Sequence, residues 1–138
     1  MIVIKNKIIP FGRYSTINLF GILFTKKDTI KTVDYNHESI HSAQILECMI
    51  LSAIFITFLI LVCNISWWWI LLSIPMYYIQ YGLEYVLIRV FHKKQNDAYH
   101  DVSFEEEAYA YENDSNYLRR RKCFAWVKYL KLRSYGKS

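Results

Sequence analysis

Residues 35–63 read YNHESIHSAQILECMILSAIFITFLILVC, a run with neither glycine nor proline. Such a run carries no helix breaker and suits one uninterrupted helix. Its character changes along its length, from polar up to Glu47 to apolar from Cys48 to Cys63. At the helical rise the apolar part measures about 24 Å, a little short of the ~30 Å hydrocarbon core of a bilayer. Asp28, Thr32, Asp34 and Asn36 are candidate starts, and a helix over 34–63 is expected to cross a membrane or nearly so.

Outward from Cys63, Asn64-Ile65-Ser66 is the only polar break before a second apolar run, which begins at Trp67 and continues past Gln80 and Glu84 to about Val90. So short a connection makes the two runs antiparallel neighbours. The expectation is a transmembrane hairpin whose second helix, 67–90, is kinked at Pro75. Trp67, Trp68 and Trp69 would sit at one interface and Tyr77, Tyr78, Tyr81 and Tyr85 toward the other. Lys5, Lys7, Arg13, Lys26, Lys27 and Lys31 precede the hairpin; Arg89, Lys93, Lys94 and Arg119 to Lys122 follow it. Both termini are therefore expected in the cytoplasm. The alternative is a soluble helical hairpin buried in an oligomer. Asn64-Ile65-Ser66 matches a glycosylation sequon, which in a tight turn is incidental.

The flanks are polar. Residues 1–27 carry Ile, Val, Phe and Thr between turn signals at Lys5-Asn6-Lys7 and Pro10-Phe11-Gly12, which predicts short strands over 2–4, 7–9 and 16–24. Residues 92–100 are loop-like. Ser103 is a good N-cap for a helix from Phe104 to about Asn113, with Glu105, Glu106 and Glu107 in the first turn, where the helix dipole favours anions. Tyr117 to Arg133 reads as a basic, aromatic, interfacial helix, so 103–133 holds a glutamate helix followed by a basic one. The fold class expected is a single-domain, mainly α membrane protein with a short N-terminal β segment.

Composition agrees: 54% apolar residues and 17% aromatics are high for a soluble chain of 138 residues. The net charge of +5 comes from Lys and Arg flanking apolar spans, which favours the lipid bilayer over nucleic acid as partner. Met1 to Pro10 lacks the pattern of a cleaved leader, so the membrane segment is expected to be retained. Cys48, Cys63 and Cys123 form neither a C-x-x-C nor a disulfide framework, which points to a reduced, cytosol-facing protein.

The chemistry is carried by His37-Glu38-Ser39-Ile40-His41. A helix places residues four apart on one face, so both imidazoles can aim at one cation, with Glu38 beside them to take a proton from a water that the ion activates. His37, His41, Gln44 and Cys48 form one stripe. Gln44 can hold a ligand or substrate carbonyl, or make a helix–helix hydrogen bond. Glu47 and Glu84 lie at similar depth on the two apolar helices, where ionisable groups are functional or paired. His92 and His100 read as surface residues.

The motif resembles that of zincins of the two-His, one-Glu kind, whose third ligand is commonly the first Glu of Glu-x-x-Ala on a later helix. Glu105-Glu106-Glu107-Ala108 matches this, with Tyr109 where an acidic or amide residue is usual. Glu105, Tyr109 and Glu112 share a helical face. The resemblance therefore implies Glu105 as ligand, with Glu107 and Glu112 as alternates and Glu112 or Glu47 as the carboxylate that supports a ligand histidine. Asn36-His37-Glu38-Ser39-Ile40-His41-Ser42-Ala43-Gln44, Tyr81-Gly82-Leu83-Glu84-Tyr85 and Ser103-Phe104-Glu105-Glu106-Glu107-Ala108-Tyr109, with Asn18 to Phe24 before them, resemble a family of small bacterial membrane proteins. That resemblance implies a gluzincin-like zinc metallopeptidase of the bacterial inner membrane, with a peptide or membrane-protein substrate and Zn2+ or another divalent metal. The early strand segment Phe20 to Phe24 can by the same analogy offer an edge to an extended peptide. The competing reading is a non-catalytic metal-binding or structural membrane protein, including an assembly module of a larger complex.

Overall fold

The computed structural model describes residues 2–6, 8–9, 15–91 and 98–130. The chain is mainly helical with a small N-terminal sheet. Strands β1 (Ile2–Lys5), β2 (Thr16–Leu19) and β3 (Ile22–Thr25) form a sheet of order β1-β3-β2. β3 pairs parallel with β1 and antiparallel with β2. The stretch expected as one strand over 16–24 is a hairpin, because Phe20 and Gly21 both take positive φ, 53° and 81°. Glycine adopts that turn geometry without steric cost. The strand expected over 7–9 is not formed at Ile8 and Ile9, which make a bend; Lys7 lies outside the described residues.

Helix α1 runs unbroken from Thr32 to Cys63, beginning two residues before the expected start, with no side-chain cap. It ends at Asn64, whose φ of 50° and ψ of 40° make it a left-handed terminator. α1 is long and apolar enough to cross a membrane. The second apolar run does not form one kinked helix. It is a 3-10 helix, Trp67–Ser73, then a turn at Ile74 and Pro75, then α2 (Met76–Phe91). Proline lacks the N–H that would continue the ladder, and its ring crowds the preceding turn, so the break replaces the kink. Ser52 Oγ donates to Ser73 O and ties α1 to the returning 3-10 segment.

After α2, α3 (Ser103–Tyr111) starts without a serine cap. The Ser103 hydroxyl instead donates to Glu84 Oε2 (2.7 Å) and its backbone N–H to Glu84 Oε1 (2.9 Å). A carboxylate from α2 thus supplies the anion that the α3 N-terminus favours. The long helix expected over 117–133 is short: α4 spans Tyr117–Arg120, and a 3-10 helix follows at Ala125–Tyr129. The chain leaves the helix at Arg121, extended at φ −60° and ψ 130°, because that side chain turns inward between Glu47 and Glu107. Residues 131–133 of the expected helix lie outside the described residues. The core joins Ile45 and Cys48 of α1, Tyr77 and Ile88 of α2, Phe104 of α3 and Trp126.

Candidate metal centre

His37 and His41 stand one turn apart on the polar half of α1, and α3 brings Glu105 against them. The three offer ligand atoms within 4.8 Å of one another. His37 Nε2 lies 3.0 Å from His41 Nε2. Glu105 Oε2 is 3.3 Å from His37 Nε2, and Glu105 Oε1 is 3.5 Å from His41 Nε2. Ligand atoms about 2.0–2.1 Å from one tetrahedral cation lie about 3.3–3.4 Å apart, so the spacing suits a single small ion.

The partners of the outer ring nitrogens agree with this. Glu112 Oε2 accepts from His37 Nδ1 at 2.9 Å. Gln44 Oε1 faces His41 Nδ1 at 2.8 Å, while its Nε2 donates to Phe104 O (3.0 Å) and Glu107 Oε2 (3.1 Å). The amide is thereby oriented, with its oxygen toward the imidazole. Each neutral histidine then carries its proton on Nδ1 and turns its Nε2 lone pair toward the other ligands. Glu105 Oε2 is buried and has no hydrogen-bond partner among the described residues. A proton shared with Glu105, or a cation between the three ligand atoms, relieves their mutual repulsion. The residues therefore fit a divalent ion.

Electrostatics follow. Burial raises the Glu38 carboxyl above its ordinary value, against the attraction of His41 and His37. Burial also disfavours a charged His41, but Glu105 and then Glu38 outweigh it and raise the imidazole. Glu105 is held well below the carboxylate range, since His37 and His41 overcome the cost of burying its charge.

Glu107 is not among the three residues that cluster. It is fully buried on the far side of α3, where it accepts from Arg121 Nε (2.6 Å), Tyr117 Oη (2.9 Å) and Gln44. Glu47 does not support a histidine either; it pairs with Arg121. Glu112 does, and Gln44 serves both His41 and the α1–α3 contact. Tyr109 packs its ring on His37 with centroids 4.7 Å apart, and His100, exposed, lies against Tyr109; His92 is outside the described residues. Asn36 donates to Glu112 O at 2.9 Å and pins the end of α3 to the start of α1.

Other residues at the centre are ones the sequence reading assigned to a membrane interface or left unassigned. Tyr81 Oη donates to Glu105 Oε1 (3.0 Å), and Tyr77 Oη lies 3.2 Å from His41 Nδ1. Tyr78 reaches the sheet, donating to Asn18 O and accepting from Phe20 N. Asn18 Nδ2 donates to Glu38 O (2.7 Å) and Ser42 Oγ (3.0 Å), fixing β2 over the motif helix. The spacing of Tyr77, Tyr78 and Tyr81, one turn of helix, was the available signal. The strand that borders the centre is β2, residues 16–19, rather than the 20–24 segment. It is an edge strand among the described residues and lines, with His37, Glu38, His41 and Glu105, a cavity of about 350 Å³.

No protein-family model, curated protein or solved structure matches the chain, and the functional reading rests on the geometry of this centre.

Proposed function

We propose that the chain is a membrane-embedded zinc-dependent hydrolase of the metallopeptidase kind, of the gluzincin-like type that its motifs resemble. The single observation that carries the reading is the clustering of the His37, His41 and Glu105 ligand atoms within 4.8 Å of one another, at the cavity that Glu38 also lines. A divalent ion bound there supplies Lewis acidity, which lowers the pKa of a water and polarises a carbonyl. Two imidazoles, one carboxylate and near-tetrahedral spacing favour zinc, although iron or manganese accepts the same donors.

Glu38 is the base. Its raised affinity for protons brings it nearer to neutral pH, where a carboxylate both takes and returns a proton. The attacking water gives a proton to Glu38 as its oxygen bonds to the carbonyl carbon. The C–N bond then breaks and Glu38 passes that proton to the leaving amine. The edge of β2 suits a substrate held as an added strand, with backbone hydrogen bonds fixing its register.

The membrane reading is supported by side chains exposed on the outside of the fold. α1 presents Leu46, Ile50, Ile54, Phe58 and Leu61 outward, and the turn leads to the exposed Trp67, Trp68 and Trp69. We read α1 and the returning segment 67–90 as a hairpin in a bacterial inner membrane. The basic residues on both flanks set the two termini in the cytoplasm.

The experiment compares wild type with Glu38→Gln in nanodiscs, measuring bound metal and hydrolysis of a peptide library. Retained metal with a loss of about 10²–10⁴ in rate is expected. A Glu38→Gln protein that unfolds, or that hydrolyses as fast as wild type, supports the structural alternative instead.

A further inference from the structure

A second cavity, about 350 Å³ in volume, lies between the end of α3, α4 and the final 3-10 helix, and shares no lining residue with the one at the metal centre. Tyr111 and Tyr117 form one wall, their rings stacked with centroids 3.8 Å apart, and Tyr117 is fixed by its bond to Glu107. Four cations, Arg120, Arg121, Lys122 and Lys128, also line it, and no carboxylate among the described residues does. The volume is at the lower end of the about 300–1,000 Å³ of ligand pockets, which suits a small molecule.

The four cations are not equivalent. Arg121 is committed to Glu47 and Glu107. Arg120 pairs with Asp114 at the surface, where such pairs hold weakly and an arriving anion can compete. Lys122 and Lys128 pair with no carboxylate among the described residues. Lys128 Nζ donates to Tyr111 Oη at 3.1 Å and stands 5.0 and 4.6 Å over the Tyr111 and Tyr129 rings, so this ammonium is held in place without being neutralised. Between the two lysines the chain turns at Phe124, whose φ of 58° lies in the left-handed region that is costly for a bulky residue. Backbone strain of this kind gathers at binding sites.

We propose that this cavity binds a small phosphate ester, gripped by Lys122, Lys128 and Arg120 with its organic part against the tyrosine wall. Lys122 and Lys128 leave two positive charges unmet, which matches the charge of about −1.5 to −2 on a phosphate monoester at pH 7; a carboxylate leaves one of them unmatched. A phosphate also offers three acceptor oxygens to donors on different elements, here α4, the turn after it and the 3-10 helix. The ester is either free in solution or the headgroup of a lipid. The site stands apart from the hydrolase reading and is tested separately from it.

The test uses the full chain, loaded with zinc, in phosphatidylcholine nanodiscs and a phosphate-free buffer of fixed ionic strength. The probe is glycerol 3-phosphate, with glycerol as the blank, followed by calorimetric titration. Saturable binding of about one equivalent is expected, weakened about tenfold or more by Lys122→Gln and by Lys128→Gln, each of which removes a charged donor. Lys128→Arg keeps the cation and should retain most of the affinity. Arg119 is exposed and does not line the cavity, so Arg119→Gln removes the same charge and should leave binding within about twofold of wild type. Native mass spectrometry of the chain released from phosphatidylglycerol–phosphatidylcholine nanodiscs then separates the two sources. A phosphatidylglycerol molecule retained by wild type and lost in Lys122→Gln supports a lipid headgroup, and saturable probe binding without retained lipid supports a soluble ester. No saturable binding up to about 10 mM probe, full-strength binding in both glutamine variants, or an equal loss in Arg119→Gln overturns the inference.

Discussion

Replacing Arg121 with methionine removes the cation that holds two carboxylates inside the fold. Arg121 Nε lies 2.6 Å from Glu107 Oε1, and its Nη2 lies 3.1 Å from Glu107 Oε2 and 3.1 Å from Glu47 Oε2. The side chains of Arg121, Glu107 and Glu47 are 5%, 0% and 13% exposed, so solvent screens little of the interaction. Removing one partner of a buried pair costs about 3–5 kcal/mol, because the remaining charge stays buried and uncompensated. Unfolding entropy of about 2.1 cal/mol/K per residue over 138 residues turns this into a fall in melting temperature of roughly 10–17 °C. The damage should also reach the metal centre, since Glu107 holds Gln44 and Gln44 orients His41. Adding Glu107→Gln to the Arg121→Met protein removes one stranded charge and should restore part of the stability. Thermal unfolding in nanodiscs, with and without zinc, measures both effects. An Arg121→Met protein that melts within about 2 °C of wild type, or no recovery in the double variant, would refute the account of this network.

Glu112→Gln leaves the three ligands in place but weakens the acceptor on His37 Nδ1; zinc affinity measured by competition with a chelator should fall about 10–100-fold. Glu84→Ala strips two hydrogen bonds from the start of α3 and should destabilise the fold by about 1–3 kcal/mol per buried donor left unmet, which denaturant titration measures. The zinc effect should depend on pH. In the ion-free chain His41 is raised by Glu105, despite burial, so its contribution is present below the unfolded value and is lost as pH rises through the folded one. Glu105 is lowered by the two histidines, despite burial, so its contribution is present above the unfolded carboxylate value and is lost as pH falls toward the folded one. The pair thus stabilises the ion-free fold from about pH 4 up to the raised imidazole value. Zinc must displace the His41 proton, and the zinc-induced rise in melting temperature should therefore grow as pH rises through the raised imidazole value. A rise that is constant or shrinks over that range would contradict the assigned ligands.

The parts legible in the sequence are those with a local signature. The absence of glycine and proline from 35–63 marks a helix that the structure runs from Thr32 to Cys63. The four-residue spacing of His37 and His41 and the Glu-x-x-Ala pattern at Glu105 name three residues that the structure brings together. What escaped depends on pairing between distant segments. Ser103 has the chemistry of an N-cap, yet its hydroxyl goes to Glu84, nineteen positions away. Arg121 sits in a sequence with helical character but leaves the helix to meet Glu47 and Glu107. Tyr77 and Tyr81 lie near the end of an apolar run, where aromatics also gather for interfacial reasons, and composition does not tell a membrane belt from the wall of a site. Two of the misread turns did carry signals: Gly21 within a β-rich stretch and Pro75 within an apolar one.

The central claim is that His37, His41 and Glu105 hold one divalent ion. The most direct measurement is the metal content of the full chain purified in nanodiscs under zinc-replete conditions, determined by mass spectrometry for wild type, His37→Ala, His41→Ala and Glu38→Gln. The account predicts about one zinc per chain in wild type and in Glu38→Gln, and loss of it in both histidine variants. A folded wild-type chain without stoichiometric metal, or histidine variants that keep it, would contradict the account.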